Sequence, residues 1–210
     1  RVQKIKPSAT LAVSDKAKQL KAQGVKIVSM GSGEPDFDTP INIQKAATQA
    51  INTGETRYTA VDGTPQLKKA ICEKFKRDNG LDYSDSEVMV SSGGKQVFYN
   101  LCQAILSKGD EVIIPSPYWV SYPDMAILAD AAPVFIDAGL DQKFKITPEQ
   151  LESSINTNTK LLVLNSPSNP TGAVYTKSEI ESLGLVLERH PHVHVISDDI
   201  YEHIRWEDEA

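Results

Sequence analysis

The feature that most constrains the fold of this chain is an alternation of short apolar strands with amphipathic helices from residue 87 onwards. Strands are predicted at 87–91, 112–115, 134–136, 160–164 and 193–198. Helical patterns of apolar residues begin between them, near residues 94, 120, 148 and 176. Short, largely apolar strands that alternate with helices are typical of a parallel sheet covered on both faces. The sequence therefore predicts an α/β fold with three layers, α/β/α, around a mainly parallel sheet.

The part of the chain before residue 87 carries clear helix signals. Two helices share one pattern, a threonine N-cap followed by proline and a closing glycine: Thr39-Pro40 to Gly54, and Thr64-Pro65 to Gly80. Threonine accepts a backbone N–H at the helix start, and proline suits the first helical position. A further helix is predicted over 8–23 and a short strand over 26–30.

Charge, hydropathy and cysteine usage exclude several classes of protein. A formal net charge of -6 lacks the basic surplus that nucleic-acid binding requires. No apolar run approaches the roughly 18 residues of a membrane span, and no secretory leader opens the chain, so no membrane partner is predicted. Cys72 and Cys102 lie on predicted helices, where a small buried hydrophobe is favoured over a disulfide or a catalytic thiol. A cytoplasmic location follows.

Four histidines occur late in the chain, and their spacing predicts no metal site. They are His190, His192, His194 and His203. They are spread over a helix end and a strand, which is a poor arrangement for the compact ligand set that a metal requires.

Polar, aromatic and glycine-rich segments follow four of the predicted strands. The segments are Ser92-Gly93-Gly94-Lys95, Ser116-Pro117-Tyr118-Trp119, Asn165-Ser166-Pro167-Ser168-Asn169-Pro170 and Asp198-Asp199-Ile200-Tyr201. Open α/β sheets bind ligands at the carboxyl ends of their strands, so one site assembled from distant segments is predicted. Gly93-Gly94 before a helix indicates an anion site, because unobstructed N–H groups lie at the positive end of the helix dipole. A tight turn without a ligand is the alternative.

Six motifs occur in order along the chain. They are Gly31-Ser32-Gly33-Glu34-Pro35-Asp36-Phe37, Tyr58-Thr59, Ser92-Gly93-Gly94-Lys95-Gln96, Pro117-Tyr118-Trp119-Val120-Ser121-Tyr122-Pro123, Asn165-Ser166-Pro167-Ser168-Asn169-Pro170-Thr171-Gly172 and Ser197-Asp198-Asp199-Ile200-Tyr201. Together they resemble class I aminotransferases of fold type I, which depend on pyridoxal 5'-phosphate (PLP), and most resemble the aspartate/prephenate branch. The resemblance implies that residues 41–210 are the N-terminal part of the large PLP-binding domain. It implies that residues 1–40 are an N-terminal arm with a small-domain segment.

Asp198 and Tyr201 are the catalytic residues that this resemblance implies within the chain. Asp198 matches the aspartate that faces the pyridine nitrogen of PLP and keeps it protonated, so that the ring can accept electrons. Asp199 points to the opposite face, because consecutive strand residues alternate, and the family's spacing pairs Asp198 with Tyr201. Tyr201 and Asn169 match residues that hydrogen-bond the phenolic oxygen of PLP. A solvated carboxylate, a core tyrosine and a turn asparagine are the alternatives.

The same resemblance implies further contacts with the cofactor and the substrate. Trp119 matches the aromatic residue that stacks on the pyridine ring, with a core tryptophan as the alternative. Gly94 and Lys95 match the phosphate loop and act mainly through backbone N–H groups. Gly33, with Trp119 and Asn169, matches residues that meet the substrate. The Asn169–Pro170 peptide bond is predicted to be cis.

Two features concern completeness of the site. Tyr58 matches a tyrosine that reaches the cofactor phosphate of a neighbouring subunit, which implies a homodimer; a surface tyrosine is the alternative. The resemblance implies a Schiff-base lysine well beyond the Asp198–Tyr201 pair; no lysine follows Lys177, so that lysine is absent from this chain. Without that lysine the chain lacks the base that moves the proton, and we expect it to be an inactive part of a longer enzyme.

The predicted reaction is transamination between an amino acid, aspartate or another dicarboxylic donor, and a 2-oxo acid. Another PLP reaction on the same fold, such as a lyase or synthase, is the first alternative, because fold does not determine chemistry. A non-enzymatic PLP-sensing regulatory domain is the second. The residues do not choose among pairs of amino acid and 2-oxo acid.

Overall fold

The computed structural model describes residues 2–5, 7, 9–31, 33 and 35–206. The chain divides into two compact units. One, here called the N unit, is Pro7–Ser91, and the other, the sheet unit, combines Arg1–Lys6 with Ser92–Ala210. The domain boundary predicted after residue 40 stays a prediction.

The described residues of the N unit form three α-helices: α1 Ala9–Ala22, α2 Ile41–Asn52 and α3 Pro65–Lys74. Ser8, where the sequence predicts the first helix to begin, lies outside the described residues. Helix α3 begins as predicted, because the Thr64 hydroxyl accepts the N–H of Leu67 at 3.3 Å and Pro65 is the first helical residue. A turn of π-helix, Phe75–Asn79, continues α3, and Gly80, with a φ of 69°, ends it.

Helix α2 begins one residue later than predicted. Pro40, not Thr39, is the N-cap residue, and no side chain in the described part of the chain caps this helix. The reason is that the carbonyl oxygen of Pro40 accepts the first helical hydrogen bonds, from the N–H groups of Ile43 and Gln44. A residue in that position is by definition the cap, so the Thr39 hydroxyl lies one residue too early to serve.

The strands predicted at 26–30 and 87–91 do not form, and neither segment has a ladder partner among the described residues. In the second segment, the backbone hydrogen bonds run to loop residues and not to a strand. The N–H of Val88 donates to the carbonyl oxygen of Asp85, and the N–H of Val90 donates to that of Asp62. An apolar stretch becomes a strand only when another strand pairs with it.

The sheet unit is built on four parallel strands: β1 Glu111–Ser116, β2 Ala132–Asp137, β3 Thr159–Asn165 and β4 His194–Asp198. Their order across the sheet is β2-β1-β3-β4, and every adjacent pair is parallel. All four match predicted strands to within two residues. Because the strands are parallel, their carboxyl ends lie at the same edge of the sheet.

Within the described ranges, four α-helices pack with this sheet. Helix α4, Gly94–Ile105, precedes β1, and three helices lie between successive strands: α5 Ser121–Leu128, α6 Pro148–Ser154 and α7 Lys177–Leu187. Parallel neighbours require crossover connections, which helices usually supply. Among the described residues, no helix combines the length and the apolar character that crossing a bilayer requires.

The two faces of the sheet carry separate cores. On one face, side chains of β1 and β3 pack with those of α4 and α5: Val112, Ile114, Leu161, Val163, Phe98, Cys102, Tyr122 and Met125. On the other face, the alternate strand residues pack with α6 and α7: Ile113, Leu162, Leu164, Leu151, Leu183 and Val186. Burying one such large side chain contributes roughly 1.5–3 kcal/mol. The predicted α/β/α arrangement around a parallel sheet is confirmed.

Both cysteines are free thiols. Cys102 is completely buried, as predicted, and burial raises the pKa of its thiol to about 12. Cys72 is only half-buried, because its sulfur faces the exposed turn at Asp85 and lies 3.7 Å from the Oδ1 atom of that residue. Burial and the nearby Asp85 carboxylate raise the pKa of the Cys72 thiol. A catalytic thiolate loses support at both positions.

Candidate active site

The carboxyl ends of three strands lead into the segments that the sequence predicts as a site. Strand β1 runs into the cis Ser116–Pro117 peptide, and β3 into the cis Ser166–Pro167 peptide. The Asn169–Pro170 peptide bond is also cis, which confirms that prediction. Strand β4 ends at Asp198 itself.

The carboxylate of Asp198 is held by two donors. The hydroxyl of Tyr122 donates to Oδ2 at 2.6 Å, and the backbone N–H of Ile200 donates to Oδ1 at 3.3 Å. Tyr122 is 2% exposed. Burial, reinforced by the Asp198 carboxylate, raises the pKa of Tyr122 far above its usual range. The tyrosine therefore stays protonated and acts as a donor at neutral pH.

Asp199, the neighbouring carboxylate, has a different partner. Its Oδ1 atom accepts a hydrogen bond from the hydroxyl of Ser197 at 2.8 Å, in an exposed position. The two consecutive carboxylates therefore differ in surroundings, and only Asp198 reaches the buried tyrosine. This geometry favours Asp198 for the role that the sequence predicts.

Trp119 and Lys95 extend the contacts from Asp198 towards α4. The ring of Trp119 lies 5.3 Å from the ring of Tyr122, at an interplanar angle of 85°. The Nζ atom of Lys95 lies 5.1 Å from the centroid of the Trp119 ring, within the range of a cation–π interaction. A continuous path of contacts thus joins Lys95, Trp119, Tyr122 and Asp198 across separate strand ends.

The N-terminus of α4 is open at the predicted anion site. Gly93 has a φ of 88°, a conformation that favours glycine, and none of the described side chains caps this helix. The first N–H groups of a helix have no intrahelical acceptor, so those of Gly94 and Lys95 remain for another partner. A Cβ placed on Gly94 would meet nothing within 4 Å. Space and donors for an anion are both present.

Asn165, the last residue of β3, connects the Asn169 loop to β4. Its Nδ2 atom donates to the carbonyl oxygen of Asp198 at 2.8 Å, and its Oδ1 atom accepts the N–H of Asn169, also at 2.8 Å. Tyr201 follows β4, is half-buried, and lines one open groove together with Asn169. The structure therefore places Asn169 and Tyr201 beside the end of β4.

Tyr122 and Asn165 are residues whose part in the site the sequence did not reveal. Both stand inside motifs that carry the resemblance. A usable signal existed for Tyr122: it lies three residues after Trp119, the spacing that places two side chains on the same side of a helical turn.

Gly33 and Tyr58 belong to the N unit. Tyr58 is fully exposed, and a Cβ placed on Gly33 would meet nothing within 4 Å. Ser32 and Glu34, which flank Gly33 in its motif, lie outside the described residues. The roles of Gly33 in substrate binding and of Tyr58 at a neighbouring subunit stay predictions.

Comparison with known proteins decides the family. Residues 25–210 match the family model described as "Aminotransferase class I and II". The chain belongs to this family. The resemblance read from the motifs is thereby confirmed.

Named relatives agree with this family assignment. The chain is 57% identical over 205 residues to the aspartate/prephenate aminotransferase of Cereibacter sphaeroides, covering 98% of this chain and 51% of the relative. It is also 57% identical over 204 residues to that of Nitrosomonas europaea, covering 97% and 51%. The chain therefore spans about half the length of the curated relatives that it matches.

Solved structures of aminotransferases share the fold. The aspartate aminotransferase of Thermus thermophilus with maleate superposes with a TM-score of 0.95 at 48% identity, over 99% of this chain and 54% of that one. The aspartate aminotransferase of Rhizobium meliloti gives a TM-score of 0.91 at 45% identity, over 97% and 53%. The fold type I architecture that the sequence implied is the architecture of these proteins.

Class I aminotransferases depend on PLP, and the donor set of this chain fits that cofactor. Asp198 offers a carboxylate for a protonated ring nitrogen, and Trp119 offers an aromatic plane for the ring. The uncapped N-terminus of α4 at Gly94 offers N–H donors for the phosphate. These groups carry the charge and shape that the parts of PLP require, and the contacts above bring them to one edge of the sheet.

Proposed function

We propose that a full-length protein containing this chain is a PLP-dependent aminotransferase that moves an amino group between an amino acid and a 2-oxo acid. The observation that carries the proposal is the position of the half-buried Asp198 carboxylate. A series of contacts connects it through Tyr122 and Trp119 to Lys95 at the start of α4. The family membership of residues 25–210 supports it.

Each candidate site residue at the carboxyl edge of the sheet has a definite role in this proposal. Asp198 holds a proton at the ring nitrogen, because an ionised carboxylate stabilises the charged form of the base it faces. Trp119 orients the ring by stacking, and the N–H groups of Gly94 and Lys95 bind the phosphate. Asn169 and Tyr201 hydrogen-bond the phenolic oxygen. When bound, PLP supplies an electron-accepting ring that stabilises the charge left after a Cα–H bond of the amino acid breaks.

The names of the relatives support a proposal about the substrate pair. Those of Cereibacter sphaeroides and Nitrosomonas europaea are called aspartate/prephenate aminotransferases. We propose a dicarboxylic amino donor, with aspartate first, and a 2-oxo acid as acceptor. Gly33, Trp119 and Asn169 would meet this substrate.

Assembly and location complete the proposal. We propose a homodimer in which Tyr58, fully exposed in this chain, contributes to the cofactor phosphate site of the neighbouring subunit. Two free thiols and the absence of a disulfide between them fit a reducing, cytoplasmic location.

The chain of 210 residues should not transaminate by itself. It contains no lysine after Lys177, and so lacks the residue that would bind the cofactor covalently and move the proton.

A half-reaction tests the proposed function. Full-length protein loaded with PLP is mixed with aspartate in the absence of any 2-oxo acid, and the cofactor's absorbance is followed. We expect the PLP band to disappear with formation of a stoichiometric amount of oxaloacetate, while the chain of 210 residues gives no change. Release of ammonia would instead indicate an elimination, and a spectrum of the full-length protein that stays unchanged with aspartate and also with glutamate would contradict transamination from a dicarboxylic donor.

A further inference from the structure

Tyr122 is a buried polar residue to which the proposed mechanism gives no task. We propose that Tyr122 is a positioning residue that holds the Asp198 carboxylate in one orientation towards the ring nitrogen of the cofactor. This inference rests on the proposed function, because it assigns a supporting residue to the same site.

The ring of Tyr122 has little freedom to move. It lies between the ring of Phe98, at 5.0 Å, and the ring of Trp119, at 5.3 Å. With 2% of its surface exposed, it is enclosed in the core formed by α4, α5 and the sheet. A donor that is held by packing presents its hydroxyl in one direction without losing further side-chain entropy when the site is occupied.

The hydroxyl points at the carboxylate and adds no charge to it. It donates to Oδ2 of Asp198 at 2.6 Å, a short distance typical of a hydrogen bond to an ionised acceptor. A lysine or arginine in this place would neutralise the carboxylate that must balance a protonated ring nitrogen. A neutral phenol orients the carboxylate and leaves its negative charge available.

The backbone of Asp198 is held from a different strand. Asn165 of β3 donates to its carbonyl oxygen at 2.8 Å, while Tyr122 of α5 holds its side chain. Among the residues that the structure describes, only Ile200 donates to the oxygen Oδ1, through its N–H at the longer distance of 3.3 Å. A carboxylate oxygen can accept more than one hydrogen bond, so both oxygens can still receive a donor from the cofactor.

Deleting the hydroxyl tests this role. In the full-length protein, Tyr122→Phe keeps the ring between its aromatic neighbours and removes only the donor. We expect the dissociation constant of PLP, measured by fluorescence titration, to rise by about tenfold, the usual effect of losing one hydrogen bond to a charged group. We also expect kcat at saturating PLP to fall, with KM for aspartate nearly unchanged.

Tyr175→Phe is the matched control. Tyr175 is 8% exposed, and its hydroxyl accepts the N–H of Ile146 at 2.9 Å in the core on the other face of the sheet. Its loss also removes one hydrogen bond of a buried tyrosine hydroxyl, in this case one accepted from a backbone N–H, without touching Asp198. We expect the PLP dissociation constant to stay within about twofold of the wild-type value. Thermal unfolding of both variants separates lost stability from lost positioning.

A double-mutant cycle shows whether Tyr122 acts through Asp198. In an Asp198→Ala background, Tyr122→Phe should change PLP affinity by less than about twofold, because the partner of the hydroxyl is already gone. Wild-type affinity in the Tyr122→Phe protein, or an equal loss in both backgrounds, would overturn the inference while leaving the proposed function intact. Failure of the wild-type protein to bind PLP would instead contradict the proposed function.

Discussion

Tyr122 and Cys102 lie in the same buried cluster, and burial raises the pKa of both side chains. Their chemical consequences differ because of their partners. Tyr122 has a carboxylate acceptor at 2.6 Å and can direct a hydrogen bond into the site. Cys102 is completely buried and packs as a small hydrophobe. At this scale, function depends on what a buried polar atom faces.

Thiol reactivity tests this description of the cysteines. Because the pKa of Cys102 is raised to about 12, almost none of its thiol is ionised at pH 8, and no solvent reaches it. We expect iodoacetamide to modify Cys72 slowly in the native protein, and Cys102 only after unfolding, as mapped by mass spectrometry. Cys72→Ser is the control and should leave Cys102 protected. Native labelling of Cys102 at the rate of a free thiol would contradict its burial.

At the scale of elements, two identical Thr-Pro pairs behave differently. Thr64 caps α3 through its hydroxyl, whereas at α2 Pro40 takes the cap position and Thr39 precedes it. The sequence pattern is the same at both sites, so the difference arises from where the first helical carbonyl acceptor falls. When the N-cap position moves by one residue, the threonine side chain no longer caps the helix.

This difference predicts unequal effects of the same substitution. Thr64→Ala should lower the free energy of unfolding by about 1 kcal/mol, because the N–H of Leu67 loses its acceptor. Thr39→Ala is the matched control and should change it by less than about 0.5 kcal/mol, as expected for a surface substitution that breaks no cap. Urea unfolding followed by circular dichroism measures both. Equal losses would show that Thr39 does cap α2.

The sequence predicted strands well only where they lie in a sheet. Apolar runs at 112–115 and 160–164 became β1 and β3, which are paired on both sides. The run at 87–91, with Val88, Met89 and Val90 at its centre, did not, because strand formation depends on a partner elsewhere in the chain. The local pattern of apolar residues contains no information about that partner. The strand prediction for 26–30 was wrong for the same reason.

At the scale of the whole molecule, parallel topology explains how the candidate site forms. Four parallel strands bring their carboxyl ends to one edge, and segments separated by more than 70 positions meet there, as Tyr122 and Asp198 do. The motifs predicted which segments follow β1, β3 and β4, but the segment from Ser92 to Lys95, predicted to follow a strand, has no strand before it among the described residues. The motifs did not predict the hydrogen bonds of Tyr122 and Asn165, because these depend on packing between α5, β3 and β4.

The central claim is that the carboxylate at the end of β4 faces the cofactor, and two adjacent aspartates offer a direct test. In full-length protein loaded with PLP, Asp198→Asn should slow the half-reaction with aspartate by about 10³-fold, because it removes the charge that keeps the ring nitrogen protonated. Asp199→Asn, which alters only the exposed contact with Ser197, should stay within about threefold of wild type. Equal rates in the two variants, or a larger loss for Asp199→Asn, would contradict the account.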